Sequence, residues 1–68
     1  MTWTDQALSA GGTLTVLQAV PRKRIFKAVM TWPDEKPVRG EIAMDAAGAM
    51  ANLERALARD AAQEIPRA

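Results

Sequence analysis

Residues 13–44 read TLTVLQAV PRKR IFKAVMTW PDEK PVRGEIAM, and this stretch decides the fold. Two proline-led polar tetrads, Pro21-Arg22-Lys23-Arg24 and Pro33-Asp34-Glu35-Lys36, interrupt segments rich in apolar residues. Proline pre-sets the second position of a type I turn and cannot donate to a sheet ladder. The spacing therefore predicts three strands joined as consecutive hairpins. Successive turns of an antiparallel meander lie at opposite ends of the sheet. One end is thus expected to be basic and the other mainly acidic.

The first strand is expected over residues 13–20, with Leu14, Val16 and Val20 on one face and Thr15, Leu17 and Ala19 on the other. Neither face is cleanly polar, which predicts cover on both sides or a bulge that switches the facing. The second strand, residues 24–32, sets Phe26, Ala28, Met30 and Trp32 against Ile25, Lys27, Val29 and Thr31. The third, residues 37–44, sets Val38, Gly40, Ile42 and Met44 against Arg39, Glu41 and Ala43. Alternation of this kind marks a half-buried sheet with one wet face. Gly40 is weak inside a strand and marks either a bulge or the close approach of another backbone.

Asp45 is a good N-cap, and residues 46–64 contain neither proline nor a β-branched residue. Pro66 is expected to end this helix, which would be about 28 Å long at ~1.5 Å per residue. Ala46, Ala49, Met50, Leu53, Ala56, Leu57 and Ala61 form an apolar stripe at helical spacing, with Asn52, Arg55, Arg59 and Gln63 on the wet side. Gly48 costs up to ~1 kcal/mol against alanine, but a small residue there lets the helix approach the sheet or a second chain. The acidic Asp60 and Glu64 oppose the helix dipole, so the last turn is expected to fray. Before the meander, residues 4–10 read either as a short helix, with Thr4 as N-cap and Gly11-Gly12 as stop, or as a loose arm. The fold class is α+β: a three-stranded antiparallel meander packed against one long C-terminal helix. The chain divides into an arm or short helix (1–12), the meander (13–44) and the helix (45–65) of a single domain.

A chain of 68 residues makes one domain at most. A domain of that size buries only ~60% of the surface its unfolded chain exposes, and it needs a staple, a metal or a partner chain more often than a large one. Cysteine and histidine are both absent, which excludes a disulfide and a zinc site built on thiolate or imidazole. No metal and no cofactor are expected, and self-association as a homodimer is the remaining device. Nine basic against eight acidic residues leave a net charge of +1. As a whole the chain is neither a basic nucleic-acid binder nor an acidic mimic of nucleic acid. Met1–Gln6 lacks a signal-peptide pattern, and no apolar run approaches the ~20 residues that span a bilayer. With the lack of cysteine, this predicts a cytoplasmic protein with no membrane contact.

Catalytic chemistry finds little to stand on. Without histidine or cysteine the commonest bases and nucleophiles are missing. Ser9 is the single serine, and Gly11-Gly12 leads into a strand where a phosphate loop would lead into a helix. Asp34 and Glu35 sit together at a turn tip where both stay solvated, unlike acid–base pairs in a cleft. The chain is therefore not expected to be an enzyme.

Binding is better supplied. Arg22, Lys23, Arg24 and Lys27 form a basic patch that reads either as a solvated turn or as a surface for phosphate or carboxylate. Nucleic acid held by about four charges would be bound weakly and with strong salt dependence. Trp3, if exposed, would make an anchor set with Arg22 or Arg24, since tryptophan and arginine dominate binding hot spots. Trp32 is expected in the core, and Met30, Met44 and Met50 are expected as core gap-fillers. Exposed sheet edges offer a further route, by strand addition across a dimer or onto a partner.

Residues 25–57 resemble the HicB-like antitoxin domain. Ala49-Met50, Asn52-Leu53 and Ala56-Leu57 follow the family's helix rhythm, and Asp45 stands at its capping position. Ala47 and Gly48 stand where the family carries paired acids, Pro33-Asp34-Glu35-Lys36 replaces its proline-glycine hairpin, and no C-terminal DNA-binding module follows. The resemblance implies a three-stranded sheet followed by a helix. Small size and lack of catalytic residue types also make the chain similar, as a class, to small phage-encoded inhibitors such as anti-CRISPR proteins. The expected function is that of a non-enzymatic inhibitor that binds a larger nucleic-acid-processing machine through Arg22, Lys23, Arg24, Lys27 and Trp3. The alternative is an antitoxin or small regulator that touches nucleic acid through the basic hairpin.

Overall fold

The computed structural model describes residues 2–64, with side chains through residue 62. In chain order the elements are α1 (Trp3–Ser9), β1 (Thr13–Gln18), β2 (Phe26–Trp32), β3 (Glu35–Arg39) and α2 (Ala46–Glu64). The strands form one antiparallel sheet in the order β1-β2-β3. Helix α2 lies on one face, chiefly over β2 and β3. The result is the expected two-layer α+β fold. The expected stop at Pro66 and the side chain of Gln63 lie outside the described residues.

The core forms where the strand and helix periodicities meet. Ala28 and Met30 of β2 face Ala49, Leu53 and Leu57 of α2, and Ala7 of α1 closes one end. Leu14, Phe26, Trp32, Val38, Ala43 and Met50 pack around them. Val16 shares the face of Ala28, its ladder partner, yet stays 40% exposed because α2 is centred away from β1. On the opposite face Val29 is buried between its ladder partners Thr15 and Arg39.

The strand ends differ from the pattern, for a reason at each turn: β1 stops early at the basic tip, and β3 starts early, at Glu35, after the other turn. The Ala19 N–H donates to the Ile25 carbonyl at 2.7 Å and closes the β1–β2 ladder, so residues 20–24 form the tip. At the other turn Trp32 faces Glu35, and Pro33-Asp34 alone connect the strands. Asp34 keeps a negative φ after Pro33, as a type I turn requires, because Arg22 and Gly11 alone have positive φ among the described residues. Type I turns match strand twist poorly in two-residue hairpins. The ladder accommodates it with a register shift between Met30 and Trp32.

Ile42 and Met44 correct the sequence reading. Expected beside Val38 under the helix, they are 58% and 74% exposed. Met30 pairs with Val38, but Phe26 pairs with Ala43, so one extra residue enters the third strand between these points. A slip of one residue turns every following side chain to the other face. Ala43 therefore takes the core position, and Ile42 and Met44 turn away. Gly40 explains the bulge. A Cβ there would lie 2.6 Å from the Leu53 amide nitrogen, so the α2 backbone rests directly on this glycine. The Asn52 side-chain amide fastens the bulge by donating to the carbonyls of Glu41 at 3.0 Å and Ile42 at 3.3 Å.

The helix starts follow cap chemistry. The Asp45 carboxylate accepts from the Gly48 N–H at 2.6 Å, as expected for the α2 N-cap. For α1 the cap is Thr2 rather than Thr4: the Thr2 hydroxyl accepts from the Asp5 N–H at 3.0 Å. Thr4 is instead buried against Glu54. The chain leaves α1 through Gly11 at φ +93, a conformation open to glycine.

Candidate functional site

The two turns occupy opposite ends of the sheet and are built differently. At the basic end Pro21 leads and Arg22 follows at φ +65, while the Lys23 N–H donates to the Val20 carbonyl at 3.2 Å. Positive φ at the third position after proline at the second defines a type II turn, where type I was expected. That third position normally carries glycine or asparagine, and another residue there costs on the order of 1 kcal/mol. The loop is braced further: the Ile25 N–H and the Gln18 side-chain amide both donate to the Lys23 carbonyl. Arg22, Lys23 and Arg24 are all exposed on this braced tip.

Apolar surface flanks the cations. Val20 is exposed within the tip, and Val16 and Leu17 are exposed on the last turn of strand leading to it. The Phe26–Ala43 bridge brings Ile42 and Met44 to the same end at the other side of the sheet. Lys27 opposes Leu17 on the face away from α2 and is half-buried. Glu41 and Asp45 are the carboxylates of this end, and Asp45 is occupied in capping α2. Arg22, Lys23, Arg24 and Lys27 thus lie toward one end of the sheet, where Val20, Ile42 and Met44 are also exposed; of these apolar residues the sequence reading had placed Ile42 and Met44 under the helix.

Trp3 lies elsewhere. It sits at the start of α1, at the opposite end of the sheet from Arg22 and Arg24. There Trp3 and Trp32 line a groove of about 490 Å³ with Gln6, Glu35, Lys36 and Asp60. Glu54 holds α1 in place: its carboxylate accepts from the Trp3 N–H, the Thr4 N–H and the Thr4 hydroxyl, each at 2.8 Å. Partial burial works to raise the Glu54 pKa, but the hydrogen bonds from Thr4 and Trp3 together outweigh it and hold the carboxyl below the ordinary glutamate range. No sequence signal marked Glu54, because the contact joins residues 50 positions apart.

Among the described residues no three histidine, cysteine, aspartate or glutamate side chains cluster to hold a metal. None of the described helices is long and apolar enough to cross a membrane. No family model, curated protein or solved structure matches the chain.

Proposed function

We propose that this chain is a non-enzymatic inhibitor that binds another protein through its basic hairpin end and blocks a surface of that partner. Arg22 carries the reading. A cation occupies the one tip position that favours glycine, so the chain forgoes local stability where it keeps charge, and such backbone outliers cluster at functional sites. The bracing of residues 20–24 limits the ordering cost of docking, which favours affinity. Val20, Ile42 and Met44, exposed toward the same end, supply desolvating contact beside the cations, an arrangement typical of protein interfaces.

The partner surface is acidic by this reasoning. Carboxylate-lined sites that hold divalent cations in nucleic-acid-processing enzymes are one such surface, and an Arg-Lys-Arg tip could occupy them in place of metal. This is the form in which an anti-CRISPR-like role would operate. Direct contact with nucleic acid, the antitoxin-like alternative, has fewer supports, since three exposed cations on one tip neutralise few phosphates.

The test is capture of partners from the native host by wild-type protein and by the variant carrying Arg22→Glu, Lys23→Glu and Arg24→Glu. The expected partner is a protein, retained after nuclease treatment, released by salt and lost by the triple variant. Capture that disappears with nuclease would favour the nucleic-acid alternative. Capture equally strong with the triple variant would remove the basic end as the site.

A further inference from the structure

The two edges of the sheet are unequal. Edge strand β3, Glu35-Lys36-Pro37-Val38-Arg39, carries three charges and a proline in five residues. Natural proteins use these devices to prevent edge-to-edge pairing. Edge strand β1, Thr13-Leu14-Thr15-Val16-Leu17-Gln18, has no charge and no proline in six residues. Five of the six are exposed. Among the described residues nothing pairs with its outer side.

The hydrogen-bond phase of β1 is fixed. The Ala19 N–H points inward to Ile25, so by alternation Thr13, Thr15 and Leu17 exchange bonds with β2. Leu14, Val16 and Gln18 then turn their N–H and C=O groups outward. These three residues also share the face that carries α2, where Val16 is left uncovered.

We infer that β1 pairs with β1 of a second copy, antiparallel about a two-fold axis through Val16, to make a continuous six-stranded sheet. The register follows from the outward groups. Leu14 opposite Gln18 of the second copy, Val16 opposite Val16, and Gln18 opposite Leu14 satisfies every outward donor and acceptor with six hydrogen bonds. A slide by two residues in either direction satisfies four. The same register sets the two exposed Val16 side chains against each other in the gap beside the α2 helices. It also sets Leu17 against Thr15 on the far face. The contact is isologous, so it closes at two copies. The β1 strand carries no charge to repel its copy, and a domain this small gains most from such a partner. The basic tips of the two copies then point away from each other, which leaves both open to the docking proposed above.

The chain lacks cysteine, so single-cysteine variants test the register cleanly. Across the axis the two Val16 Cα atoms would be ~5.5 Å apart, within reach of a disulfide. The two Leu14 Cα atoms would be offset by four residues, on the order of 13 Å, and out of reach. Sedimentation of the wild-type protein is expected to give a dimer, and Val16→Lys a folded monomer by circular dichroism. Under oxidation Val16→Cys is expected to give a covalent dimer, and Leu14→Cys none. A wild-type monomer at the highest soluble concentration would overturn the inference. So would a dimer that survives Val16→Lys, or cross-linking of Leu14→Cys in place of Val16→Cys. If Val16→Lys fails to fold, the pair of cysteine variants decides alone.

Discussion

The two ends of this sheet divide the work of the molecule. At the acidic end Trp32 packs on the core, α1 is held by three hydrogen bonds to Glu54, and Ala7 seals the layer. At the basic end Val20, Ile42 and Met44 are exposed, and Arg22 sits in a conformation unfavourable to it. One end ties the backbone donors of a helix to a carboxylate, though Trp3 and Leu8 stay 41% and 42% exposed there. The other keeps exposed apolar surface and backbone strain together. Stability is thus concentrated in the core and the clasped end, and the basic end keeps groups better suited to contact than to folding.

Substitutions can break or sharpen this contrast. The largest loss is expected from Leu53→Ala, which empties a fully buried site between α2 and the sheet. A cost of about 2–5 kcal/mol, read from urea unfolding, would leave a domain this small largely unfolded. Gly40→Ala should follow at about 1–3 kcal/mol, because its methyl group meets the α2 backbone, which cannot step aside like a flexible side chain.

Glu54→Gln probes the clasp through pH. A carboxyl whose pKa is depressed in the folded state stabilises fully above its unfolded value, about 4.3, and that stability is lost as pH falls through the lower folded value. Wild-type protein should therefore melt at a lower temperature on acidification below about pH 4.3. The Gln variant should melt lower than wild type at neutral pH and lose less on acidification. Equal pH profiles for the two would show that Glu54 does not hold α1. At the basic end the sign reverses. Arg22→Gly relieves the left-handed position and should gain up to about 1 kcal/mol by the same unfolding assay, while weakening capture of the partner. A loss of stability would mean that the strain assigned to Arg22 is absent.

The meander, its turn positions and the burial of Met30, Ala49, Leu53 and Leu57 were legible because each rests on local pattern. Proline marks the turns, and alternation or helical spacing marks the faces. Ile42 and Met44 were misread for a long-range reason: Gly40 meets Leu53, and the resulting extra residue changes the facing of everything after it. Sequence reading offered a bulge or a close backbone approach at Gly40; the structure has both, and the phase of the bulge was not legible. The Glu54 clasp was invisible because no local pattern links a helix carboxylate to the donors of a distant short helix. For the candidate site, the four cations were legible as a charge run. The separation of Trp3 from them was not, because it depends on which end of the sheet α1 reaches.

The most direct measurement places a photo-activated cross-linker at Lys23 and, separately, at Gln6 beside the tryptophan groove, in cells that produce the protein. The account predicts a covalent adduct to another protein from position 23, resistant to nuclease, and none from position 6. Adducts from position 6 alone, or nuclease-sensitive adducts from position 23, would contradict it.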